Sequence, residues 1–129
     1  MNKQYTKDKQ RANNSPLAYA KYRYNAQKQA AKTRGIAWEL EPYKDEVIFK
    51  IATAVVCAES GRKLVHQIGK SNSYKPSIDR ITSKIGYTIS NIQITTSSIN
   101  VAKMSLESKE FYEMCRDVVA HSASKYERQ

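Results

Sequence analysis

Apolar residues recur at helical spacing between Leu17 and Ala31, with Leu17, Ala20, Tyr24 and Ala31 on one side and Lys21, Lys28 and Lys32 on another. Ser15 followed by Pro16 reads as an N-cap with proline in the first turn, and Arg34 with Gly35 as the matching stop. The pattern predicts a long first helix over residues 15 to 34. Ile36 to Leu40 then alternates around Trp38, which predicts a short extended segment. Pro42 opens a second helix whose stripe of Tyr43, Val47, Ile48, Ile51, Ala54 and Val55 is expected to face the core.

The segment Cys57 to Leu64, CAESGRKL, carries a Ser-Gly turn signal, and residues 65 to 76 read as a loop. Two short segments follow, Ser77 to Ile81 (SIDRI), where Ile78 and Ile81 alternate imperfectly around charged residues, and Asn91 to Thr95 (NIQIT), which alternates cleanly with Ile92 and Ile94 inward; turn residues Lys84, Gly86 and Thr88 lie between them. They are expected to pair antiparallel. Thr96, Ser97 and Ser98 offer N-cap oxygens for a short helix carrying Ile99, Asn100 and Lys103. Met104 and Ser105 break it, and Ser105 is expected to cap a last helix with a packed stripe of Phe111, Met114, Cys115 and Val118. His121, near the expected end of that helix, would complement its dipole. Residues 1 to 14 read as a flexible basic arm, 15 to 121 as one domain, and 122 to 129 as a polar tail that frays.

Composition narrows the partners. A chain of 129 residues with 40% hydrophobic content supports one compact domain. Its 22 Lys and Arg against 12 Asp and Glu leave a formal charge of +10, which suits a polyanion. Nucleic acid fits because neutralised phosphates release counterions, giving salt-sensitive affinity. An anionic membrane surface would suit the charge too. No run approaches the roughly 20 apolar residues of a spanning helix, and MNKQYTKDKQ lacks the apolar stretch of a signal peptide, so no membrane segment is expected.

Cys57 and Cys115 are the only cysteines, which reads as reduced thiols in cytoplasm and excludes an all-cysteine zinc site. His66 and His121 do not bring the set to knuckle spacing. Tyr19, Tyr22 and Tyr24 lie among Lys21, Arg23, Lys28 and Lys32, an interleaving that can contact phosphates and stack. An aromatic core stripe beside a solvated lysine face gives the same pattern.

Taken in order, RGIAWEL, CAESGRKL, PSIDRI, GYTISNIQIT, INVAK and FYEMC, over about residues 34 to 115, resemble phage-type HNH endonucleases of the ββα-metal superfamily. The resemblance implies an α-rich α+β fold with a ββα-metal unit at about residues 77 to 104, two helices before it and one after. It implies a metal-dependent DNA endonuclease or nicking enzyme. In that family a strand Asp and a helix side chain hold one divalent cation, which falls here on Asp79 and Asn100. Their oxygens suit Mg²⁺ or Mn²⁺. Asn91 corresponds to the residue that ties down the loop between the strands, and Tyr87 is expected to pack beneath that loop. Arg80 and Lys103 are candidates to hold the scissile phosphate. Lys21, Arg23, Lys28, Lys32 and Arg34 would add basic surface for DNA.

One position departs from the family. Arg80 stands where the general-base histidine is expected, and a guanidinium stays protonated near neutral pH. Some wider relatives carry the base three residues past the Asp, but that residue here is Thr82. Three arrangements remain open. A base arrives from elsewhere, His66 being the best candidate; a metal-bound hydroxide acts with little protein help; or Arg80 pairs with phosphate or Asp79, and the fold is an inactive module that binds DNA or another protein. The same residues would also arise as a strand-end ion pair, a turn asparagine and a helix-surface amide. RNA binding fits the charge but has no motif of its own.

Overall fold

A computed structural model of the chain describes residues 15–68 and 73–127. The basic arm expected over residues 1–14 lies outside them. Helix α1 spans Pro16–Thr33, with the Ser15 side chain accepting the Ala18 N–H at 3.1 Å and Arg34 as C-cap. Gly35 follows at φ +69°, a left-handed conformation that glycine adopts without strain. Tyr19, Ala20, Tyr24 and Ala31 are buried, whereas Leu17 is 52% exposed. The inward face is therefore rotated from the one its aliphatic residue suggested. Tyr19 can be buried because its hydroxyl donates to the Pro76 carbonyl, which leaves no polar group unsatisfied.

Pro42 opens a 3₁₀ turn over Glu41–Tyr43, and helix α2 proper spans Lys44–Thr53. Val47, Ile48 and Ile51 pack against α1, but the expected stripe is cut at both ends. Tyr43 is exposed in the turn before the helix, and Val55 is exposed because the helix stops at Thr53 and Ala54 turns extended. The CAESGRKL segment closes as expected, with an antiparallel bridge between Val56 and Lys63 and Gly61 at φ +70°.

Strands β1 (Pro76–Arg80) and β2 (Ile92–Thr96) form a two-stranded antiparallel sheet that sets Ile78 opposite Ile94 and Asp79 opposite Gln93. Between them, the backbone at Tyr87 runs beside the IAWEL segment: Tyr87 N–H donates to Ala37 O at 2.9 Å, and Glu39 N–H to Tyr87 O at 2.8 Å. Gly86 permits that approach, since a Cβ built there would stand 2.5 Å from Ala37 O. The core gathers α1, α2, Leu40, Ile78 and Tyr87, with Trp38 packed on its margin.

Helix α3 (Ser97–Lys103) starts at Thr96, whose hydroxyl accepts the Ile99 N–H at 3.3 Å. It ends at Met104, a non-glycine residue at φ +50°. Helix α4 (Ser108–Tyr126) begins after Glu107, not Ser105, whose carbonyl instead accepts the Ser83 hydroxyl. Of its expected stripe only Phe111 is buried; Met114 and Val118 are exposed and Cys115 is half-buried. Periodicity alone cannot supply a neighbour, and little of the described chain packs on this face. The helix also continues through the polar stretch to Tyr126, so His121 lies inside it and Lys125 is the basic residue of its last turn. The whole is an α+β fold in which two helices precede a strand-strand-helix sequence and one follows. No described helix is long and apolar enough to cross a membrane.

Candidate functional site

The site is built on the open edge of β1. Ile78 turns its backbone toward α1, where Gln27 donates from Nε2 to Ile78 O at 2.9 Å and accepts the Ile78 N–H on Oε1 at 2.7 Å. This buried side-chain amide takes the place of a third strand and docks α1 on the sheet. From the following helix, Asn100 Nδ2 donates to Ser77 Oγ at 2.8 Å and to Ile78 O at 3.3 Å. One turn later, Lys103 Nζ donates to Asp79 Oδ2 at 2.8 Å and to Arg80 O at 2.7 Å. The shared helical face expected for Asn100 and Lys103 is thus used to bolt α3 to β1.

Asp79 is 3% exposed and also accepts Gln93 Nε2 on Oδ2 at 2.8 Å, while the same Gln93 nitrogen reaches Glu59 Oε1 at 2.7 Å. The register explains this contact, because Gln93 is the cross-strand partner of Asp79. Asp79 and Asn100 line one cavity of about 500 Å³, together with Arg34 and Arg80. Gln27, Ser83 and Tyr87 complete its polar and aromatic wall. Lys103 is not among the lining residues; its ammonium is turned to Asp79 and the Arg80 carbonyl.

Arg80 makes no ion pair with Asp79. Its Nη1 donates to the carbonyls of Ser83 at 3.1 Å and Ile85 at 3.2 Å, and its guanidinium lies 5.3 Å from the Tyr87 ring centroid. Asn91 organises the same loop: Nδ2 donates to Thr82 O and Gly86 O, each at 3.0 Å, and Oδ1 accepts the Thr82 N–H at 3.0 Å. Glu107 is drawn to this loop as well. Hydrogen bonds from Thr82, then Ser83, hold its carboxyl below the usual range.

His66 is not brought to the cavity. Its Nε2 lies 2.8 Å from the Ile51 carbonyl, an acceptor that requires a proton on that nitrogen, and its ring meets Tyr19 edge-on at 5.9 Å. Of the five basic α1 residues singled out, Arg34 alone lines this cavity. Arg23 Nε donates to Tyr19 Oη at 3.0 Å, Lys28 pairs with Glu41 at 2.8 Å, and Lys21 and Lys32 are exposed.

Whether Asp79 and Asn100 fit a divalent cation follows from their free valences. Both donors to Asp79 reach Oδ2, which leaves Oδ1 outside that network, and a carboxylate has about four lone-pair sites in all. The Asn100 nitrogen is committed to β1, so its carbonyl oxygen occupies the other branch of the planar amide. Carboxylate and amide oxygens are the donor type that hard cations such as Mg²⁺ or Mn²⁺ take, with water completing the shell, while the Lys103 ammonium already balances the charge of Asp79. Among the described residues no group of three or more His, Cys, Asp or Glu side chains gathers to hold a metal, at this cavity or elsewhere.

Gln27 and Gln93 went unmarked in the sequence. Strand register could have found Gln93; nothing local marks Gln27. No family model matches the chain, and no curated protein or solved structure matches it either.

Proposed function

We propose that the chain is a metal-dependent DNA endonuclease or nicking enzyme acting on phosphodiester bonds, with β1, β2 and α3 as an HNH-like ββα unit. One observation carries this reading: Asp79 from a strand and Asn100 from the next helix line a single cavity that Arg34 and Arg80 also line. Asp79 and Asn100 would hold the cation. When bound, it would acidify a water and neutralise charge on the leaving oxygen. Arg34 and Arg80 would hold the phosphate, Arg80 being already oriented by its two loop carbonyls and Tyr87. Lys103 and Gln93 fix the carboxylate of Asp79, as hydrogen-bonded partners of a metal ligand do. The net charge of +10 favours a DNA backbone as substrate.

Neither Arg80 nor His66 is placed to accept a proton from an attacking water. On this reading solvent accepts it, and cleavage should accelerate as pH rises. A second reading, an inactive HNH-like module that binds DNA or a partner protein, is favoured by the Lys103 ammonium at Asp79 and by Arg80 at the base position.

Nicking of supercoiled plasmid separates the two. The endonuclease should nick with Mg²⁺ or Mn²⁺, stop on chelation, and lose at least about tenfold in rate in Asp79→Asn and Asn100→Ala. Salt-sensitive plasmid binding without nicking under any divalent metal would select the inactive module.

A further inference from the structure

Another hollow lies on the other flank of α1, about 660 Å³ in volume, and includes Asn25, Lys28, Gln29, Lys32, Trp38 and Glu41 in its wall. The two cavities are neighbours. Tyr87 lines the first and Trp38 the second, and their rings touch with centroids 4.9 Å apart. This aromatic pair links the two walls, and residues of the C-terminal half of α1 line both hollows.

Charge and shape select the ligand. Glu41 Oε2 accepts Lys28 Nζ at 2.8 Å and the Tyr24 hydroxyl at 2.9 Å, so the carboxylate is balanced within the wall. Lys32 has no ion pair among the described residues and leaves the hollow with one net positive charge. A single lysine is a weak basis for gripping phosphates, but two amides beside an indole suit a flat heterocycle with hydrogen-bonding edges. Trp38 is held ready for stacking: Nε1 donates to Tyr24 Oη at 3.3 Å, and the Tyr24 ring meets it edge-on at 5.3 Å. A ring fixed in this way loses little entropy when a base lies on it.

We infer that this second hollow is a subsite for an unpaired nucleobase of a nucleic-acid strand whose neighbouring phosphate lies in the Asp79 cavity. The inference rests on the proposed action on DNA and adds to it that the strand is held open beside the reacting bond. Trp38 stacks on the base, Asn25 and Gln29 meet its edge, and Lys32 faces the adjoining backbone.

Trp38 is the only tryptophan, so the emission comes from the wall of this hollow. The test is a titration of the full chain with short single-stranded oligothymidylate in excess chelator, where no metal-dependent cutting occurs. Saturable quenching is expected, with affinity at least about tenfold above that for a blunt duplex of equal length. Lys32→Glu and Asn25→Ala, both exposed and remote from the core, should weaken binding several-fold with an unchanged far-ultraviolet dichroism spectrum. Trp38→Leu, followed by anisotropy of a labelled strand, should weaken it about tenfold or more. If Trp38→Leu does not fold, the two surface variants decide. No quenching, equal response to duplex and single strand, or unchanged affinity in both surface variants would overturn the subsite. Nicking without quenching would remove the subsite and leave the nuclease reading; quenching without nicking would do the reverse.

Discussion

Lys103 Nζ sits 2.8 Å from Asp79 Oδ2, with the two side chains 1% and 5% exposed. A fixed cation thus backs the carboxylate that the proposed chemistry requires. Removing one partner strands a charge in the interior, whereas removing both is far less costly. Lys103→Met is expected to lose about 3–5 kcal/mol in urea unfolding, and the double variant Lys103→Met with Asp79→Asn to recover most of it. A single variant within about 1 kcal/mol of wild type would mean that water reaches this pair.

Gln27 closes the open edge of β1 through the two backbone groups of Ile78. Gln27→Ala should cost at least about 2 kcal/mol, because a buried N–H and C=O lose their partner together. Gln27→Leu should not rescue it, since volume is not what the amide supplies. Amide exchange at Ile78 should rise in both variants relative to Ile94.

Gly86 has an ordinary φ, so its requirement is one of space. A methyl group there meets the carbonyl and Cβ of Ala37 at 2.5 and 2.8 Å. Gly86→Ala is expected to cost about 1–3 kcal/mol by forcing the IAWEL segment away from Tyr87. Trp38 emission should change in the same variant without any ligand, because the Trp38–Tyr87 contact depends on that approach.

Cys57 offers a pH signature. Burial raises its thiol, but hydrogen bonds from Ser60, Thr96 and Glu59 outweigh that and bring it below its ordinary value. A group depressed on folding adds stability above its unfolded pKa and loses it as pH falls through the folded one. Under reducing conditions, the stability advantage of wild type over Cys57→Ala should therefore be larger at about pH 9 than at about pH 6. An advantage that shrinks with rising pH would mean the thiol titrates above its free value.

Features with a local cause were readable from the chain. Ser15, Pro16 and Arg34 bound α1, Thr96 caps α3, and SIDRI and NIQIT pair with Ile78 opposite Ile94, although Ile81 falls beyond the strand and is exposed. Asn91 was readable as the tie of the inter-strand loop, and it makes those bonds. Features decided by a distant partner were not. Tyr19 rather than Leu17 turns inward because Pro76, remote in sequence, receives its hydroxyl. Lys103 was read as a phosphate ligand because sequence shows a charge but not the carboxylate it meets. Periodicity on the last helix announced a buried stripe, yet burial needs a second surface as well as a first.

That last helix has an energetic consequence. Phe111 is its one buried residue, and Ser108 Oγ contacts the Ile81 carbonyl one turn earlier, so its attachment to the domain is concentrated at the start. Beyond that anchor the turns rely on their own backbone ladder, and a solitary helix of this length is marginal in water. The cooperative unit of the protein accordingly ends near the root of α4. Its outer turns can wind and unwind on their own, without disturbing the sheet or either hollow.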